Sequence, residues 1–157
     1  MQKMPECFGS KWTVAFLSFF ILLSDQASKF MVVEHLQLRE HHAILSFFSI
    51  VRFENRGISF GMFNGTSAPL LWISLSTIVV VALCIWARDK KFCWLPSGMI
   101  VSGAVGNSID RIIHGAVVDF LDFHVSTYHW PAFNIADSAI VIGAIVLFFI
   151  SNERVEL

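Results

Sequence analysis

Four carboxylates, Asp25, Asp110, Asp119 and Asp137, stand in or beside apolar stretches of this 157-residue chain. A carboxylate inside or bordering a bilayer is costly unless it is paired or wet, so each of them needs a partner or a task. Asp119 is flanked by Val117, Val118, Phe120 and Leu121, and Asp137 by Ile135 and Ala136. Such neighbours predict partial desolvation. Two desolvated carboxyls held close cannot both ionise and keep one proton between them at neutral pH. One member then takes a proton from water while the other protonates a carbonyl or a departing amine. That is amide hydrolysis without a covalent intermediate.

Each acid also has a structural role open to it. Asp25 precedes Lys29 by four residues, the favourable order for an ion pair along one helix face, and this pairing is preferred to chemistry. Asp110 shares a helical face with Gly103, Asn107 and His114. Beside that face runs a stripe of small residues, Gly98, Ser102 and Gly106, of the kind that lets helices approach closely. Asp110 and Arg111 are therefore read first as ties between helix ends. Asn134 would cap a helix whose third residue, Asp137, favours the positive end of the dipole. Asp119 and Asp122 could be wetted loop carboxylates.

Other motifs carry less. Gly57-Ile58-Ser59-Phe60-Gly61 is a literal G-x-S-x-G, but the nucleophile elbow needs a large α/β sheet for which the chain has no room. His114, His124 and His129 with Asp119 and Asp122 fit no zinc spacing and are read as interfacial or loop histidines, so no metal is expected. The cysteines, Cys7, Cys84 and Cys93, form no disulfide framework and no C-x-x-C pair.

The elements that must position these acids follow from composition. The chain is 55% apolar and only 15% charged, with a mean hydropathy of +0.67, against roughly 25% charged residues in a soluble domain. A net charge of −1 leaves no basic stripe for a nucleic acid. An integral membrane protein is implied. A hydrocarbon core about 30 Å thick needs roughly 20 apolar residues per helix. Windows of that kind predict spans at about 12–33, 68–87, 94–113 and 135–151, with outer loops at about 34–67 and 114–134, all in one domain covering 1–157. The inner side then holds Lys3, Lys11, Arg88, Lys90, Lys91 and Arg154, and the outer side Arg39, Arg52 and Arg56, which places both termini in the cytoplasm. A cleaved signal at the N-terminus is the weaker reading, because Asp25 and Lys29 would lose their purpose. In the first outer loop, Val51 and Phe53 alternate with Arg52 and Glu54 as in a half-exposed strand. The second, aromatic and rich in histidine, suits a segment at the headgroup level. All four acids gather on the outer side.

Five segments together resemble the lipoprotein signal peptidase (signal peptidase II) family: Asp25 to Lys29, Asn55 to Gly61, Gly103 to Arg111, Gly115 to Phe120 and Trp130 to Ser138. The resemblance implies an all-α membrane fold of four transmembrane helices with a small extramembrane β cradle on the outer face. It implies an aspartic endopeptidase of the bacterial cytoplasmic (inner) membrane that cuts a prolipoprotein just before its diacylglyceryl-modified cysteine. Asp119 and Asp137 would be the catalytic dyad. Asn55, Asn107, Arg111 and Asn134 would hold substrate backbone, and Asp25, Lys29 and Asp110 would brace the site. No cofactor is implied; the partners are the prolipoprotein and membrane lipid. Where the family usually opens its third-span motif with two glycines, this chain has Ser102 first. The rival reading is a small proton-coupled transporter or channel subunit. It requires a polar file across the whole membrane, yet the second span offers only Ser74, Ser76 and Thr77.

Overall fold

The structure, a computed structural model, describes residues 10–56 and 94–153. Their elements are α1 (Lys11–His35), β1 (His41–Leu45), β2 (Phe48–Asn55), α2 (Trp94–His114), β3 (Val117–Val125), β4 (Tyr128–His129) and α3 (Ile135–Glu153). The expected spans at 12–33, 94–113 and 135–151 fall within the three helices. The span at 68–87, the basic cluster from Arg88 to Lys91, the Gly57 to Gly61 segment and the three cysteines lie outside the described residues. Among the described helices, Lys11–His35 is long and apolar enough to cross a membrane, and Ile135–Ile150 is a shorter apolar helix.

The helices are inside-out relative to a soluble bundle. Trp12, Phe16, Phe19, Phe20 and Phe30 of α1 and Val141, Ile145, Phe148 and Phe149 of α3 point outward, whereas Asp25, Lys29, Ser97, Ser102, Asn107 and Asp110 are buried. Lipid contact favours this distribution, since apolar side chains lose nothing by facing hydrocarbon while polar ones must find partners within. Close helix approach comes from missing side chains. A Cβ on Gly98 would meet Val14 and Ser18 of α1, and one on Gly103 would strike the Ala136 carbonyl of α3. Ser102 stays small enough for that packing, buried with its hydroxyl donating to the Met99 carbonyl at 3.0 Å.

Four antiparallel strands form one sheet in the order β1-β2-β3-β4. Its extent enlarges one expectation and adds to another. The single strand anticipated at Ile50 to Asn55 is a longer β2 with β1 beside it. The aromatic segment after α2, expected at the headgroup level, forms β3, the strand that carries Asp119 and Asp122. Val117 to Phe120 are buried on both faces, so β3 shows a continuous apolar run around Asp119 in place of an alternation. Phe53, expected inward, is exposed; the register shift between Ile50 and Phe53 is where β2 departs from regular pairing with β3.

Two ties fasten the sheet to the helices. Arg52 Nη1 donates to the carbonyls of Val33 and Leu36 at 3.0 and 3.1 Å, satisfying acceptors that the end of α1 leaves open. Leu121 and Phe133 form an isolated antiparallel bridge, which holds the start of α3 against β3. Val32 of α1 packs with Val118 and Phe120 of β3 beneath these ties.

Candidate active site

The ends of α1, α2 and α3 and the middle of β3 meet in a buried polar cluster. Its first half is ionic. Lys29 Nζ lies 2.8 Å from Asp25 Oδ2, the expected pair one helical turn apart, and 2.8 Å from Asp110 Oδ2 across the helix interface. Asp25 is fully buried and Lys29 is 3% exposed. A buried group of this kind is tolerable only with its remaining hydrogen-bond capacity filled. Gln26 Nε2 donates to Asp110 Oδ1 at 3.0 Å and to Asp25 Oδ2 at 3.1 Å. The backbone N–H of Ala136 donates to Asp25 Oδ1 at 2.9 Å, so Asp25 also holds the first turn of α3.

The second half is built from amides. Asp119, 2% exposed, accepts Asn55 Nδ2 on Oδ2 at 3.0 Å and Asn134 Nδ2 on Oδ1 at 2.8 Å. Asp137, partly buried at the start of α3, accepts Asn107 Nδ2 on Oδ1 at 2.7 Å. Asn134 caps α3 as its spacing predicts, since its Oδ1 accepts the Asp137 N–H at 2.8 Å. The two halves join at Asn107, whose Oδ1 accepts Lys29 Nζ at 3.0 Å and Asn134 Nδ2 at 3.3 Å. Burial first, then the charge of Asp137, pushes the Asp119 carboxyl from 3.8 up to about 7, against the opposing effect of Asn55, Asn134 and Lys29.

The structure thus brings Asp25, Lys29, Asn55, Asn107, Asp110, Asp119, Asn134 and Asp137 into one network. Arg111 borders it, with Nη1 donating to the Asn107 carbonyl at 3.2 Å. His114, one turn beyond Asp110 at the end of α2, is exposed. Asp119 and Asp122 are not wetted loop carboxylates, because both are buried on β3. Asp122 stands apart from the cluster, with both oxygens 3.0 Å from His129 Nδ1. Gln26 had no role in the sequence reading. Its signal was its place beside Asp25 in a span otherwise nearly free of polar groups. No group of three His, Cys, Asp or Glu among the described residues is arranged to hold a metal ion.

What the arrangement offers chemically is a pair of carboxyls from two elements, oriented by three neutral amides. Residues 17–152 match the family described as signal peptidase (SPase) II. A lipoprotein signal peptidase of Burkholderia ambifaria is 40% identical over 144 residues, covering 88% of this chain and 87% of its own length. One from Burkholderia multivorans is 38% identical with the same coverage. A bacterial membrane enzyme solved by the in meso method at 2.3 Å resolution superposes with a TM-score of 0.83 at 25% identity, covering 98% of this chain and 94% of its own. The match to the family over most of the length, and to these relatives through both halves of the buried cluster, make the chain a member of the signal peptidase II family.

Proposed function

We propose that this peptidase removes the signal peptide from prolipoproteins by aspartic chemistry, with Asp119 and Asp137 as its dyad. The observation that carries the reading is the set of three amides, Asn55, Asn107 and Asn134, which orient both carboxyls, with no cation bonded to either among the described residues. One carboxylate accepts a proton from water as the water attacks the scissile carbonyl, and the other carboxyl protonates the carbonyl oxygen. Asn55, Asn107, Arg111 and Asn134 border the reacting groups and are suited to holding substrate backbone. Asp25, Lys29 and Asp110 brace the helix ends. The transporter alternative gains no support from relatives named as peptidases.

The bond cut is the one just before the diacylglyceryl-modified cysteine. A lipid-anchored substrate leaves the bilayer only at a cost of about 0.8 kcal/mol per buried methylene, so its cleavage site stays at the membrane surface. A dyad at the helix ends, beneath the sheet, suits a bond held at that level, reached laterally between helices. The setting is the bacterial cytoplasmic membrane, crossed by four spans of one domain, with both termini inside and the dyad near the outer face. Support for the orientation is the excess of Lys and Arg on the inner side.

The test is cleavage of a diacylglyceryl-modified precursor by purified protein in detergent, with the unmodified precursor as control. Wild type cuts the first and spares the second. Asp119→Asn and Asp137→Asn remain folded and cut neither. Cleavage by either variant rejects the dyad.

A further inference from the structure

The residue immediately before each acid of the proposed pair gives its backbone N–H to another buried carboxylate. Ala136, before Asp137, donates to Asp25 Oδ1 at 2.9 Å, and Val118, before Asp119, donates to Asp110 Oδ2 at 3.3 Å. The two receiving carboxylates share one cation, since Lys29 Nζ lies 2.8 Å from an oxygen of each. A continuous path therefore runs from the main chain at Ala136 through Asp25, Lys29 and Asp110 to the main chain at Val118. Gln26 links the same two carboxylates a second time, its Nε2 donating to Asp25 Oδ2 at 3.1 Å and to Asp110 Oδ1 at 3.0 Å.

The direction of every bond in this path is fixed by chemistry. Backbone N–H groups and an ammonium only donate. The Gln26 amide alone could be turned over, but its nitrogen faces two carboxylates and the Gly106 carbonyl at 3.3 Å, all acceptors, so its oxygen does not belong there. Packing leaves the path no slack. Asp25 and Ala136 are fully buried, Lys29, Asp110 and Val118 nearly so, and a Cβ on Gly106 would press on Asp25 Oδ2.

Resting on the dyad proposed above, we infer that Asp25, Gln26, Lys29 and Asp110 are positioning residues that set the distance between the Asp119 and Asp137 carboxyls, by holding the main chain one residue before each. Both ties converge on one ammonium, so release of either lets its acid move away from the other. For two groups that must act on one water and one carbonyl, a displacement of about 1 Å costs on the order of a hundredfold in rate.

The test removes single links while keeping every charge. Gln26→Leu deletes the second link. An ester in place of the peptide N–H at Ala136 or at Val118, introduced as the α-hydroxy acid, deletes one tie without changing a side chain. With purified protein in detergent and a diacylglyceryl-modified precursor, each ester lowers kcat by about ten- to a hundredfold and leaves KM within about twofold, and Gln26→Leu lowers kcat by about three- to tenfold. Like charges repel less when farther apart, so the two proton losses of the pair draw together, and the alkaline limb of the kcat/KM profile comes down by about half a pH unit. Asp25, Lys29, Asp110 and Arg111, the charged groups around the pair, are the same in every variant, so that movement reports distance. A control ester at Val14, whose N–H donates to the Ser10 carbonyl at the far end of α1, keeps kcat within about twofold of wild type.

Wild-type kcat and pH limbs in both esters, with only a lower unfolding temperature, would make the path a scaffold alone and overturn the inference. A rise in KM at constant kcat, or an equal fall of kcat in the Val14 ester, overturns it as well. The esters report even where Gln26→Leu does not fold. Cleavage by Asp119→Asn is a different failure, because it would remove the pair itself.

Discussion

Two pairs of buried acids sit side by side in this molecule and are treated in opposite ways. Asp25 and Asp110 share an ammonium, with Lys29 at 2.8 Å from each. Asp119 and Asp137 are bonded to neutral amides, and among the described residues the hydrogen-bonded link from Lys29 to Asp137 runs through Asn107. Acids bonded to a shared cation are tied into the scaffold, whereas burial and the charge of Asp137 push the amide-bonded Asp119 carboxyl up to about 7. On the proposed mechanism, the difference separates residues that brace from residues that react, although all four lie at the ends of apolar elements.

The contrast is tested most severely at the reacting pair. Asp119→Asn and Asp137→Asn lower cleavage of a lipid-modified precursor by about a thousandfold or more, within the range general acid and base groups contribute, without loss of thermal stability. At the bracing pair the signs reverse. Lys29→Met strands two carboxylates and costs about 3–5 kcal/mol of stability, read as a fall in unfolding temperature in detergent. Gly103→Ala, which drives a Cβ into the Ala136 backbone, weakens the α2–α3 contact by about 1–3 kcal/mol in the same measurement.

A pH series distinguishes the pairs further. Folding raises the Asp119 carboxyl from 3.8 to about 7, so between those values the folded chain holds a proton that the unfolded chain releases. Its contribution to stability is full below about 3.8 and is lost as the pH rises through about 7. Unfolding temperatures across that window fall with pH in wild type and fall less in Asp119→Asn. The smallest effect belongs to Asp122→Asn, three residues along the same strand. Asp122 is buried but bonded to half-exposed His129, away from the amides, and cleavage stays within about twofold of wild type.

Local relations were legible in the sequence, and relations across elements were not. The four-residue step from Asp25 to Lys29 and the three-residue step from Asn134 to Asp137 each announce a contact that helix geometry enforces. Nothing in spacing announces that Lys29 also serves Asp110, 81 positions away, or that Gln26 completes the group. The strand β3 was hidden for a physical reason: buried on both faces around Asp119, it lacks the alternation by which half-exposed strands reveal themselves. The resemblance to signal peptidase II supplied the grouping of distant motifs that periodicity could not.

The bridge between Leu121 and Phe133 has a consequence for tolerance to change. Because strand and helix are clamped at that rung, the hairpin beyond it, turning at Ser126, is decoupled from the separation of Asp119 and Asp137. Its tip is a place where residues can be inserted, exchanged or tagged while the machinery below keeps its shape, and where related sequences are free to diverge.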